Sequence, residues 1–213
     1  MNREYRYFVT ERLVVREWLL DDIAGLLKVM SDVRVHTYTK DKNNPWDRQR
    51  TEKFIRFMVE KEFRSLDNYH GAVIEKKTNQ IIGLCGLNPY KEREPEIEWK
   101  LGVPFWGKGY ATELGIQMIE EAFAATNIKG IYGMAQPGNT ASRRVLEKIG
   151  MEYIGNQVFR DCEDAFYYIS NPCCLAEAKN AFYALREQSA DVPEMLLEEI
   201  NAEINATRAE RKR

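Results

Sequence analysis

The 213 residues contain only two histidines, His36 and His70, and four cysteines, Cys85, Cys162, Cys173 and Cys174. The histidines stand far apart with no second ligand near either, and the cysteines lack the paired spacing of a zinc site, so metal chemistry is not expected. Adjacent Cys173 and Cys174 are poorly placed to bridge each other, and all four cysteines are read as reduced thiols. No apolar run approaches the roughly 18 residues that span a bilayer, and the opening MNREYRYFVTERL has no apolar segment of the signal-peptide kind. A cytoplasmic protein without membrane attachment is the expectation. The formal net charge is only -2, which removes the broad electrostatic reason for nucleic acid as the main ligand. With 44% hydrophobic and 30% charged residues, the chain has the make-up of a globular domain with a core.

Strand and helix signals follow one another in a readable order. RLVVREW (12–18) has strand composition, and Asp21 and Asp22 precede IAGLLKVM, where acidic residues suit a helix start. After the loop DKNNPWD, RQRTEKFIRFMVEKEF places Phe54, Phe57, Met58 and Phe63 near helical spacing, which predicts a second amphipathic helix. HGAVIEK and QIIGLCGL, separated by KTNQ, predict an antiparallel hairpin. EIEWKLGV reads as a further strand, KGIYGMA as another, NTASRRVLEKIG as a helix stopped by Gly150, and MEYIGNQVF and DAFYYIS as closing strands. The fold class expected is therefore α+β, a mixed and mostly antiparallel sheet flanked by helices. Composition changes after Asn171-Pro172 to strong helix formers, dividing the chain into a domain of residues 1–172 and a helical tail of residues 173–213. Leu196, Leu197, Ile200 and Ile204 share one face of that tail, a stripe suited to docking on its own domain or on a second subunit in a homodimer.

The junction PFWGKGYATE (104–113) carries most of the functional information. It lies between a strand and the helix ATELGIQMIEEAFAA, where inward-turned amides and the helix dipole favour a phosphate. The spacing from Gly102 to Gly107 and Lys108 satisfies GxxxxGK, yet Gly109 stands where a nucleotide-binding loop needs a magnesium-binding hydroxyl, and Pro104 removes an amide. A dinucleotide fingerprint finds Gly107 and Gly109 but meets Thr112 in place of its third glycine. A backbone cradle for a pyrophosphate needs neither feature, because glycines let the anion approach the main chain and Lys108 adds positive charge.

WGKGYATE resembles the Q/R-x-x-G-x-G/A motif of the GNAT acetyltransferases, as Trp106-Gly-Lys-Gly109-Tyr-Ala111. NTASRRVLEKIGM (139–151) is similar to that superfamily's following N-x-x-S-x-x-v-L-E-K-x-G-F segment, and TERLVVREW with DDIAGLLKVMSD is similar to the start of its RimJ/RimL-like branch. The resemblance covers about residues 8–170 in the family's order. It implies a splayed sheet with acetyl-CoA lying where two neighbouring strands part. The loop amides of Trp106, Gly107, Lys108, Gly109, Tyr110 and Ala111 would hold the pyrophosphate. Pantetheine would pair with the strand end at Trp99, Leu101 and Val103 as an added strand would. Trp106 departs from the Gln or Arg that many members carry, a change that a backbone cradle tolerates.

Direct acetyl transfer to an amine within a ternary complex requires a neutral nucleophile, a polarised carbonyl and a stabilised thiolate. The resemblance implies a strand-borne carboxylate or an ordered water as proton relay, and Glu96 and Glu98 share one strand parity as candidates. Both could equally be solvated strand charges. Asn139 would bond the pantetheine arm, although an Asn three residues before Ser142 is also a good helix cap. Ser142 sits where the resemblance implies a general acid, and Arg144, with Arg143 and Lys148, could reach the cofactor phosphates. Cys85 reads as a buried core thiol. Tyr38, Trp46 and Tyr90 either line an acceptor pocket or pack as core aromatics. The function expected is acetyl-CoA-dependent N-acetylation of a primary amine, on a protein N-terminus or a small molecule; the rival is a non-catalytic acyl-CoA-binding module of the same fold.

Overall fold

Alternating burial builds the first part of the sheet. In strand β2 (Leu13–Arg16), Leu13 and Val15 are fully buried while Val14 and Arg16 are half-buried, the period expected of a strand with one core face. β2 pairs antiparallel with β1 (Arg6–Val9) on one side and with β3 (Tyr69–Glu75) on the other. β1 had no signal of its own, since four residues offer too short a window for periodicity. In the computed structural model, the described residues are 6–39, 42, 44–61, 65–159 and 162–173.

β3 and β4 (Gln80–Lys91) form the expected hairpin, with Asn79 taking a left-handed conformation, φ 54°, in its turn. β4 continues antiparallel to β5 (Glu94–Leu101). β6 (Gly130–Ala135) then runs parallel to β5, and β7 (Glu152–Phe159) and β8 (Cys162–Ser170) complete an eight-stranded sheet in the order β1-β2-β3-β4-β5-β6-β8-β7. All its neighbouring pairs are antiparallel except β5 with β6.

Helices cover both faces. On one, α1 (Ile23–Met30) and α2 (Arg48–Glu60) bring Leu26, Met30 and Ile55 against Ala72, Ile74 and Leu84. On the other, α3 (Tyr110–Ala125) and α4 (Thr140–Lys148) bring Leu114, Met118 and Leu146 against Leu87, Ile97 and Ile131. The start of α1 departs from the sequence expectation. Asp22 makes no cap bond to α1; instead its carboxylate accepts from the Leu19 amide at 2.8 Å and from both terminal nitrogens of Arg16 at 2.7 and 2.8 Å. α2 is also rotated from its expected face. Thr51 and Ile55 are fully buried, with Phe54 and Met58 packed beside them, whereas Phe57 is 52% exposed. At about 100° per residue Phe57 lies on the side opposite Ile55, and Phe63 falls outside the described residues.

The end of the sheet is tied off by Asn171, whose side chain donates to the Ile128 carbonyl at 3.0 Å and whose amide donates to the Lys129 carbonyl at 2.8 Å. The expected tail stripe at Leu196, Leu197, Ile200 and Ile204 lies outside the described residues.

The helix that carries the glycine junction is anchored through Leu114, which is fully buried, and this generates a contrast with its exposed neighbour Ile116, 41% accessible. Leu114→Ala should cost about 2–5 kcal/mol in urea unfolding, and Ile116→Ala under about 1 kcal/mol. Equal losses at the two positions would contradict the packing of α3.

Candidate active site

β5 and β6 pair at only Glu96 with Tyr132 and Ile97 with Gly133. Beyond those residues β5 stays with β4, as far as Leu101 opposite Gly83, while β6 stays with β8, as far as Ala135 opposite Ala165. The two strands therefore part, and a cleft of about 800 Å3 opens where they do. Its walls include Trp99, Leu101, Met134, Ala135, Tyr110 and Asn139. A volume of that size accommodates a cofactor-sized ligand.

The glycine junction closes one end. After a single 3-10 turn, Val103–Phe105, the chain passes Gly107 at φ 71° and Gly109 at φ 80° before α3 begins. Both conformations lie in the left-handed region that glycine enters without a Cβ penalty. Gly109 is the N-cap of α3, and no side chain caps it. The first-turn amides of a helix have no intrahelical acceptor, so this terminus suits an anion. A Cβ built on Gly107 would meet nothing within 4 Å, and Gly107, Gly109, Tyr110 and Ala111 all line the cleft. Open space at Gly107 and an uncapped helix start are compatible with a pyrophosphate.

Two details differ from the sequence expectation. Val103 belongs to the 3-10 turn and not to β5, which ends at Leu101; its side chain packs on the α1–α2 side of the core, so it offers no extended pairing. Lys108 and Val103 are not among the cleft-lining residues. The indole nitrogen of Trp106 donates to the Leu101 carbonyl at 2.7 Å. Trp106 thus ties the loop to the strand end and occupies an acceptor that an added strand would have used. Trp99 has the same parity as Leu101, so strand alternation turns its main-chain amide and carbonyl to the same open edge.

α4 supplies the opposite wall. Asn139 caps it, its side-chain oxygen accepting from the Ser142 amide at 3.2 Å, and Asn139, Ser142, Arg144 and Lys148 all line the cleft. Arg143 does not serve the cleft. Its guanidinium donates to the Tyr167 hydroxyl at 3.0 Å and to the Pro137 carbonyl at 3.4 Å.

The carboxylates lie on the other side of the sheet from α3 and α4. Ile97 and Leu101 face that core, which puts Glu96, Glu98 and Lys100 on the alternate face, and all three line the cleft. Glu96 stands where β5 and β6 are still paired, whereas Glu98 is the next residue on its face, past the last pair. Behind Glu98 sits His70, with 3.4 Å between its Nδ1 and Glu98 Oε1. His70 and Glu98 flank Gly86 in a single row across β3, β4 and β5. A Cβ at Gly86 would come within 3.1 Å of His70 Nδ1, so the missing side chain leaves room for the approach. Burial lowers the imidazole below its ordinary pKa, against the opposing pull of the Glu98 carboxylate and a hydrogen bond with Asn88. The sequence offered Glu98 beside Glu96 and gave no sign of its contact with His70, because their meeting depends on strand register. The local signal was limited to a glycine between alternating apolar residues, which can mark a close approach.

The remaining aromatic and thiol expectations separate cleanly. Tyr38 lines the cleft, but Trp46 is buried against Phe54 and belongs to the α1–α2 core. Tyr90 packs edge-on to Tyr132 and Phe159. Cys85 is fully buried, and burial pushes its thiol well above the ordinary value, which fits a core residue.

The cleft between the parted strands, with the uncapped start of α3 beside it, has the size and the free main-chain donors to receive an anionic ligand. The family model described as "Acetyltransferase (GNAT) domain" matches residues 12–152, and the chain belongs to that family as an N-acetyltransferase. It is 30% identical over 159 residues to "Uncharacterized N-acetyltransferase p20" of Bacillus licheniformis, covering 73% of this chain and 86% of that protein. The fold is also that of two solved structures. Ribosomal-protein-S5-alanine acetyltransferase from Vibrio fischeri matches with TM-score 0.61 and 18% identity over 78% of this chain and 96% of the other. Spermidine N-acetyltransferase from Vibrio cholerae, in complex with CoA and spermine, matches with TM-score 0.62 and 18% identity over 77% and 98%. No helix among the described residues is long and apolar enough to cross a membrane.

The left-handed loop has a measurable signature. Gly109→Ala meets only an ordinary contact, Arg12 Nη2 at 3.5 Å, so its cost is conformational, about 1–2 kcal/mol in denaturant unfolding. No measurable loss would show that Gly109 does not need a positive φ.

Proposed function

We propose that this protein transfers an acetyl group from acetyl-CoA to a primary amine by direct attack in a ternary complex, as a RimJ/RimL-like N-acetyltransferase of the cytoplasm. The observation that carries the reading is the placement of Glu98 at the mouth of the parted strands, with the uncapped glycine loop at the other end of the same cleft. Acetyl-CoA supplies the activated carbonyl and a thiolate leaving group. The loop residues Trp106 to Ala111 orient the donor through their amides, and the main chain of Trp99 aligns its arm. Asn139 contributes the polar side chain on the α4 wall, and Arg144 and Lys148 lie on that wall as phosphate partners.

Glu98 is the base in this reading. An amine arrives as ammonium at neutral pH and must lose a proton before it attacks. The carboxylate of Glu98 takes that proton, held toward the opening by His70. Glu96, still within the paired part of β5, shapes the acceptor side. The Ser142 hydroxyl protonates the departing sulfur and recovers its proton from solvent. The acceptor class is open between a protein N-terminus and a small-molecule amine. The Vibrio fischeri protein is named for a ribosomal protein and the Vibrio cholerae one for spermidine, so both kinds belong in one panel.

The test is thiol release from acetyl-CoA over peptides with varied N-terminal residues, amino acids, polyamines and aminoglycosides. At least one acceptor should turn over, and Glu98→Gln should then lower kcat by about 100-fold or more with the KM for acetyl-CoA nearly unchanged. Ser142→Ala should lower kcat more than binding, and Asn139→Ala should raise the dissociation constant for CoA. Binding without turnover across the whole panel would instead identify an acyl-CoA-binding module, and unchanged kinetics in Glu98→Gln would remove Glu98 from the chemistry.

A further inference from the structure

Arg12, in the hairpin between β1 and β2, contacts the glycine loop 96 residues away in sequence. Its Nη1 donates to the main-chain carbonyl of Lys108 at 2.9 Å, and its Nε donates to Glu113 Oε2 at 2.6 Å. The guanidinium carbon lies 4.3 Å from the centre of the Tyr110 ring. Glu113 in the first turn of α3 is itself held from the same hairpin, accepting from Thr10 Oγ1 at 2.5 Å and from the Arg12 amide at 2.8 Å. Burial raises the Glu113 carboxyl pKa, but the hydrogen bonds from Thr10 and Arg12 outweigh it and hold the group below its ordinary value. Arg12 is thus directed by a charged partner, with the stacked Tyr110 ring as a floor.

The consequence lies in the peptide between Lys108 and Gly109. A trans peptide points its carbonyl and its N–H to opposite sides. With the Lys108 carbonyl fixed on Arg12, the Gly109 amide is turned the other way. Gly107 and Gly109 line the cleft while Lys108 does not, in keeping with that orientation. A peptide unit entering a glycine can otherwise rotate at low cost, because glycine occupies both halves of φ space. We propose that Arg12 is a positioning residue for the donor's pyrophosphate: it fixes this peptide so that the Gly109 amide meets the anion without reorganisation. The proposal rests on the acetyl-CoA reading of the cleft.

The test compares CoA with dephospho-CoA, which lacks only the 3′-phosphate, and with pantetheine, which lacks the pyrophosphate and the nucleoside beyond it. Dissociation constants of CoA, dephospho-CoA and pantetheine are measured by NMR titration for the wild type, Arg12→Ala and Arg12→Lys, with thermal melts confirming folding. Arg12→Ala should weaken CoA and dephospho-CoA alike by roughly tenfold or more, the worth of one hydrogen bond to a charged group. Pantetheine, which has no pyrophosphate, should change by less than about twofold. Arg12→Lys should fall between, since an ammonium can hold the carbonyl but cannot also pair in a fork with Glu113. It also preserves a cation if the alanine variant does not fold. A fall shared equally by pantetheine would reduce Arg12 to a structural staple and overturn the proposal, as would no change in either variant. A loss confined to CoA and absent for dephospho-CoA would place Arg12 on the 3′-phosphate and equally overturn it. A wild type that binds neither CoA nor dephospho-CoA would remove the reading of the cleft along with it.

Discussion

After Ile97 and Gly133, the main chains of β5 and β6 have no further partners in each other. Each remains committed to its other neighbour, β5 to β4 through Leu101 and β6 to β8 through Ala135. A buried strand edge left in that state would carry unpaired amides and carbonyls, a cost that folded proteins avoid. The cleft is the resolution. It keeps the edge of β5 accessible, and the elements around it take their places from the parting: the glycine loop at one end, the α4 wall along one side and Glu98 where the strands separate.

The two ends of that cleft are organised by different physics. At the loop, positive φ at Gly107 and Gly109 and the absence of a side-chain cap leave main-chain donors for an anion. Trp106 ties the same loop to the end of β5 through the Leu101 carbonyl, and Glu113, held by Thr10 and Arg12, ties it to the first hairpin. At the mouth, strand register governs. Only because His70 and Glu98 both stand opposite Gly86 can an imidazole on β3 approach a carboxylate two strands away. A side chain in place of Gly86 would also meet the Tyr69 carbonyl, so the gap belongs to the sheet as much as to the site.

Local features were legible in the sequence where local chemistry decided them. The run IAGLLKVM matches α1 residue for residue, and the glycines of the junction lie in the turn between strand and helix where the sequence put them, at Gly107 and Gly109 with positive φ. Asn139 and Ser142 also formed the cap that their spacing indicated. What depended on register or long-range pairing was not legible. β1 is too short to show a period, and the buried stripe of α2 runs through Thr51 and Ile55 because tertiary contacts chose the face that a count of phenylalanines did not. His70 and Arg12 each act across a large sequence separation, 28 residues from Glu98 and 96 from Lys108 by residue number. Val103 was placed on the strand when it belongs to the turn, which the Phe105 and Trp106 amides close onto the Gly102 and Val103 carbonyls.

The central claim is that the open edge of β5 and the glycine loop together receive the acetyl donor. Hydrogen–deuterium exchange with and without acetyl-CoA addresses it at the level of individual amides. Slower exchange on addition of acetyl-CoA is expected at Trp99 and across Gly107–Ala111. Protection confined to other segments, or none at these amides under saturating donor, would contradict the account.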